Sequence, residues 1–103
     1  KYHMRVLFVL TSVFIFFSAG SLVAQEDTIK LHIVGHTDAD GNDDTNMDLS
    51  KKRADAVKQA LVSVYNVSGD RLTTEGKGEL EPVGDNGTAD GKTQNRRVEF
   101  IRQ

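Results

Sequence analysis

The chain has no cysteine. Disulfides, thiolate metal sites and a cysteine nucleophile are therefore excluded, and no residue of this chain can carry a cysteine-linked lipid. There is one proline, Pro82, and it falls among glycines rather than inside an apolar run. No basic stripe occurs: the formal net charge is −2 and the two signs are interspersed. Nucleic acid is not an expected partner on that balance. At 103 residues the chain holds one small domain.

One long uncharged run is present, and it lies at the N-terminus. Val6 to Phe17 is apolar except for Thr11 and Ser12, and Met4-Arg5 supplies a short positive lead. Ser18 to Ala24 is rich in small residues, with a cleavage site expected before Gln25. Residues 1–24 thus read as a signal peptide with its start at Met4, or as an uncleaved membrane anchor. Val6 to Ala24 is just long enough to cross a bilayer. Either reading carries residues 25–103 out of the cytoplasm. The segment is apolar on every side, and the expectation is an N-terminal apolar helix over residues 6–24.

The remainder alternates strand and helix signals. Thr28 to Val34 reads as a strand, with Ile29, Leu31 and Ile33 at every second position. Asp38 to Thr45 is an acidic loop. A helix is expected from a cap at Thr45 or Asn46 to about Tyr65, with Leu49, Ala54, Val57, Leu61 and Val64 as its apolar stripe. Gly69 is the expected helix stop. Arg71 to Glu75 is a short strand candidate. Gly76 to Gly91 is loop, Thr88 to Asn95 holds a helical turn, and Arg97 to Arg102 is the last strand. A strand–helix–strand unit needs a right-handed crossover, so the first and second of these strands should be parallel neighbours. The predicted fold class is α/β, an α+β sandwich: a mixed three-stranded sheet packed by one main helix.

The chemistry-bearing stretch runs from Ile33 to Arg53. It places Asp38 at the carboxyl end of a strand and Arg53 about two turns into the next helix. Crevices at the carboxyl ends of strands are where α/β sheets usually bind ligands. Asn46 and Arg53 are seven residues apart and share a helix face. Asp38 is an acceptor, Arg53 a five-donor fork, and Asn46 an amide that does both. Together they suit an ammonium and a carboxylate on one carbon.

Gly35-His36-Thr37-Asp38, then Gly41, Asn46, Leu49-Ser50, Arg53-Ala54, Val57 and Leu61, resemble the OmpA-like C-terminal domain. Arg71-Leu72, Gly76-Lys-Gly78-Glu79, Pro82-Val83, Asn86, Gly91 and Asn95-Arg-Arg-Val-Glu99 continue that resemblance, which covers about residues 29–102. It implies non-covalent binding of peptidoglycan through the diaminopimelate of the stem peptide, in the periplasm or at the outer membrane of a Gram-negative envelope. It further implies that Asp38 meets the ligand ammonium and Arg53 the carboxylate. Asn46, Leu49 and the Thr37 backbone would support them, and envelope proteins are possible further partners. No cofactor or metal is implied. The family has a strand and a helix ahead of the Gly-His-Thr-Asp strand, so residues 25–103 read as this domain without its first strand–helix unit, a βαββ remnant.

Other chemistries fit less well. An EF-hand counted from Asp38 would need Gly at 43 and Glu at 49, where the chain has Asp43 and Leu49. His36 has no serine, cysteine or second histidine at a useful spacing, and is expected to bond the loop backbone. Arg96 and Arg97, on a strand start, face opposite sides of the sheet, so at most one of them reaches the crevice, and one is expected to form a structural ion pair with a loop acid. Gly76-Lys-Gly78 is too short for a phosphate loop. A flagellar-stator role for a membrane-anchored form would need an ionisable group within the apolar run, and Val6 to Ala24 has none. An enzyme acting on the wall would need an acid–base pair or metal triad, and Asp38 with Arg53 is neither.

Overall fold

The computed structural model describes residues 5–9 and 28–103, the first five by backbone only. Four strands form one sheet in the order β1-β4-β2-β3. They are β1 (Arg5–Val9), β2 (Leu31–Gly35), β3 (Leu72–Gly76) and β4 (Arg97–Arg102). The long helix α1 (Asp43–Tyr65) connects β2 to β3, and the short helix α2 (Ala89–Asn95) precedes β4. β2 and β3 run parallel, joined by the expected crossover through α1. β4 runs antiparallel to both β2 and β1, so the sheet is mixed.

The three expected strands are present within a residue or two at most ends. The N-terminal expectation fails in part. Val6 to Val9 are extended and paired with β4, in register from Arg5 against Ile101 to Val9 against Arg97. The helix expected over residues 6–24 is therefore absent at its start; residues 10–24, with the expected cleavage site, lie outside the described residues. The physical reason is local. Val-Leu-Phe-Val is rich in β-branched and aromatic residues, and β4 would otherwise leave one edge of its backbone unpaired. Among the described residues no helix is long and apolar enough to cross a membrane.

The core lies between the sheet and α1. Leu31, Ile33, Leu72, Val98 and Phe100 meet Ala54, Val57 and Leu61 of the helix, with Val67 closing one end. The helix buries Asn46, Ser50, Ala54, Val57 and Leu61, spaced three or four apart as one face requires. Leu49 and Val64, expected in that stripe, are exposed instead. The buried face is rotated toward Ser50, which a hydropathy reading passes over.

Two glycines explain that rotation. Gly35 and Gly76 stand opposite each other at the carboxyl ends of β2 and β3. A Cβ on Gly35 would collide with the Ser50 carbonyl, and one on Gly76 with the Lys51 amide. Without side chains there, α1 rests its backbone directly on the strand ends. Ser50 Oγ donates to the Met47 carbonyl at 2.8 Å and accepts the Gly78 N–H at 2.8 Å, tying helix to loop. The first turns of α1 are thereby held over the carboxyl edge of the sheet.

The helix ends differ from expectation by a few residues. Asn42 is the N-cap; its side chain accepts from the amides of Asp44 and Thr45, with Asp43 and Asp44 in the first turn. The helix closes at Asn66, which adopts φ 57°, three residues before the expected glycine.

Candidate functional site

The loop after β2 is fixed by backbone bonds to two neighbours. The His36 N–H donates to the Arg97 carbonyl and the Thr37 N–H to the Gly78 carbonyl, both at 2.9 Å. Thr37 Oγ1 donates to the Asp38 carbonyl at 2.8 Å. The chain then turns on Asp38, whose Oδ1 accepts the Asp40 N–H at 3.0 Å.

Asn46 on α1 closes the loop from above. Its Nδ2 donates to the Asp40 carbonyl at 2.9 Å and lies 3.4 Å from both the Asp38 carbonyl and Glu79 Oε1. Two turns along, half-buried Arg53 directs Nη1 to the His36 carbonyl at 3.4 Å. Leu49, between them on the helix, is 39% exposed. Thr37, Asp38 and Asn46 thus form one hydrogen-bonded unit, and Arg53 reaches the residue two before Asp38. The Leu49 side chain, three residues after Asn46 and four before Arg53, offers an apolar surface on the same helix face.

Asp38 is only 8% exposed, and its second oxygen is engaged: Arg96 Nη1 donates to Oδ2 at 2.6 Å. Burial pushes the carboxyl up, but the bonds from Arg96 and the Asp40 amide, with the Arg96 charge, more than offset it, and the net shift is down. Asp38 is thus firmly ionised. This is the ion pair expected between an arginine and a loop acid, and its partner is the candidate ligand residue itself. A carboxylate has about four lone-pair sites, so Asp38 retains capacity for another donor.

The surrounding acids differ among themselves. Glu79 is pushed up, chiefly by a bond shared with Asp43, while Asn46 pulls it down. Asp40 Oδ1 lies 3.3 Å from Lys92 Nζ.

Asn95, Arg96 and Arg97 divide three tasks. Buried Asn95 accepts the Val83 and Gly84 amides at 2.7 and 2.8 Å and donates to the Gly84 carbonyl and to Asn86 Oδ1. Asn86 Oδ1 also accepts the Ala39 N–H at 3.2 Å, tying this loop to the Asp38 loop. Arg96 takes Asp38. Arg97 is buried; its Nη2 donates to the Glu81 carbonyl at 2.8 Å and its Nε lies 3.7 Å from Glu99 Oε2.

His36 is fully buried, and its ring does not bond the loop backbone as expected. Nε2 meets Glu99 Oε1 on β4 at 2.8 Å. A pairing with a residue 63 positions away leaves no local trace in the sequence. Burial first, then the Arg97 guanidinium, lower the imidazole's affinity for a proton, against the raising pull of Glu99. His36, Glu81 and Glu99 each bring a potential metal-ligating atom within 4.8 Å of the others. A cation there would sit against the buried Arg97 guanidinium, whose Nε lies 3.7 Å from Glu99 Oε2, so the donor set does not suit one.

The OmpA family profile matches residues 17–96, a span that takes in β2, α1, β3 and α2, with Thr37, Asp38, Asn46, Leu49, Arg53 and Arg96, and stops just before Arg97 and Glu99.

The chain belongs to the OmpA family.

It is 51% identical over 67 residues to outer membrane porin F of Pseudomonas aeruginosa, covering 65% of this chain and 19% of the porin. It is 39% identical over 72 residues to the peptidoglycan-binding protein ArfA of Mycobacterium bovis, covering 70% of this chain and 22% of that protein. The chain therefore spans about a fifth of these relatives' lengths. The crystal structure of the peptidoglycan-associated lipoprotein from Burkholderia pseudomallei superposes with a TM-score of 0.82 at 27% identity, covering 96% of this chain and 89% of that one. The family match begins inside the apolar segment.

Proposed function

We propose that this OmpA-family domain binds peptidoglycan non-covalently through the diaminopimelate of the stem peptide, and so ties an exported envelope protein to the wall. Asp38 accepts the ligand ammonium and Arg53 donates a two-pronged bond to its carboxylate. Asn46 and the Thr37 backbone hold the Asp38 turn, and Leu49 covers the apolar part of the ligand. The observation that carries the reading is the bond from Arg53 Nη1 to the His36 carbonyl. It sets a cation beside the turn that bears an ionised, nearly buried Asp38. An amino-acid head group carries those charges in the complementary order. Two similar proteins support the same polymer as ligand: ArfA is a peptidoglycan-binding protein, and the Burkholderia lipoprotein is peptidoglycan-associated.

Each charge-assisted contact is worth about 1.5–3 kcal/mol. A single muropeptide is then held weakly, and the polymer is held by many sites at once. The test is co-sedimentation with purified diaminopimelate-type peptidoglycan. The intact protein pellets; Asp38→Ala and Arg53→Ala each lower the affinity at least about tenfold. Pelleting that survives both substitutions removes this site.

A further inference from the structure

The binding reading leaves unused a deeply buried polar pair, His36 with Glu99. It lies under the site, and the two side chains are 1% and 9% exposed. Polar groups are costly to bury, and a pair in that position needs a reason beyond solubility.

His36 is held from three directions. Its N–H donates to the Arg97 carbonyl of β4, its ring meets the Glu99 carboxylate of the same strand, and its own carbonyl receives Arg53 Nη1 from α1. Two of these ties run to β4 and one to the helix. Glu99 is registered against Val34, the second residue before His36, so the carboxylate acts on the end of β2 across one strand spacing. Glu99 in turn lies beside Arg97, whose Nη2 is tied to the Glu81 carbonyl. The ring's other nitrogen, Nδ1, has no hydrogen-bond partner among the described residues. The ring is thus fixed through Nε2, and Glu99 is what fixes it.

We propose that Glu99 is a positioning residue for the ligand's carboxylate: by locking the His36 ring it sets the His36 carbonyl, and that carbonyl aligns the Arg53 guanidinium. This rests on the binding reading above and adds how the cationic arm is aimed. Arg53 is a long side chain with several rotatable bonds, and its fork reads a carboxylate in two-pronged fashion only in a narrow range of orientations. The contact with the His36 carbonyl orients it, at a distance of 3.4 Å that is longer than the usual N–H···O range. Without that contact the cation stays near but loses its aim, and discrimination suffers more than attraction.

The experiment measures binding of two soluble stem tripeptides by calorimetry. One ends in diaminopimelate with a free side-chain carboxylate; the other carries the same residue as the carboxamide. The intact protein prefers the carboxylate by at least about tenfold, the worth of one charge-assisted pair. Glu99→Ala reduces that preference to about threefold or less, whereas Glu99→Gln, which keeps an acceptor for His36 Nε2, retains most of it. A purely structural role for Glu99 weakens both peptides equally and leaves the ratio unchanged, which overturns the proposal. Should Glu99→Ala fail to fold, the wild-type protein gives the answer by NMR. The proposal requires the His36 ring nitrogens and carbonyl carbon to shift with the carboxylate peptide and less with the carboxamide. Identical shifts with the two peptides overturn it. If the intact protein binds neither peptide, the binding reading itself fails, an outcome distinct from binding with an unaltered ratio.

Discussion

Asp38 and His36 stand two residues apart and have opposite electrostatic histories. Asp38 is nearly buried yet ionised, because Arg96 and the Asp40 amide outweigh the cost of burial. Replacing Arg96 with Ala removes the stronger of those two bonds, so the Asp38 carboxyl should titrate at higher pH, followed by carbon-13 NMR of its side chain. An unchanged titration would mean that Arg96 contributes nothing to its charge. His36 goes the other way, with burial and Arg97 keeping it neutral. The unfolded chain takes up a proton near the ordinary value of 6.5 and the folded chain only below it. The unfolded state therefore binds more protons in that window, and stability is lost as pH falls below about 6.5. The groups facing the ring are Arg97, Glu99 and Glu81. Urea melts between about pH 7 and 5, above the usual carboxylate range, should show a decline in unfolding free energy that His36→Gln flattens. An equal slope in both proteins would assign the decline elsewhere. The residue types of the site were legible in the sequence, since an acceptor after a strand and a fork on the next helix are local signals. Their partners were not. Arg96 reaches Asp38 across 58 positions and His36 reaches Glu99 across 63, and no periodicity encodes such pairs.

At the scale of elements, α1 is set by both its ends and its seat. The sequence points to a cap at Thr45 or Asn46, because the polar run before the apolar stripe offers several capping residues. Asn42 takes the role and Asn46 is freed for the loop carbonyls. Asn42→Ala should cost about 1 kcal/mol in thermal or urea unfolding. The seat of the helix on the strand ends depends on Gly35 and Gly76. Gly35→Ala drives a methyl group into the Ser50 carbonyl and should cost about 1–3 kcal/mol, with the helix lifted from the turn that holds Asp38. A Gly35→Ala protein as stable as the parent would show that the helix does not press on the strand there. The early end of the helix at Asn66 has a local cause too: asparagine tolerates the left-handed conformation, so the chain need not wait for Gly69. The apolar N-terminal run was the hardest element to read. A short, wholly apolar stretch fits a buried strand or a helix equally well. Its pairing with β4 depends on an edge that the run itself cannot reveal.

At the scale of the whole molecule, the sheet separates two jobs. Residues in register at Ile33 and Phe100 belong to the core beneath α1. The alternate positions of β4, Arg97 and Glu99, point to the other face and carry the ionic support of the site. The carboxyl edge of β2 and β3 is where helix, loop and β4 meet, so charges from distant parts of the chain converge there. The parallel crossover was legible from the order strand, helix, strand; the fourth strand was not. The central claim is that Asp38 and Arg53 together recognise one zwitterionic head group. The most direct measurement is calorimetric binding of two stem tripeptides, one ending in diaminopimelate and the other in lysine, which keeps the side-chain ammonium but lacks the second carboxylate. The intact protein should prefer the first by about tenfold or more, and Arg53→Ala should bind both alike. Equal binding of the two peptides by the intact protein, or a preference that persists without Arg53, would contradict the account.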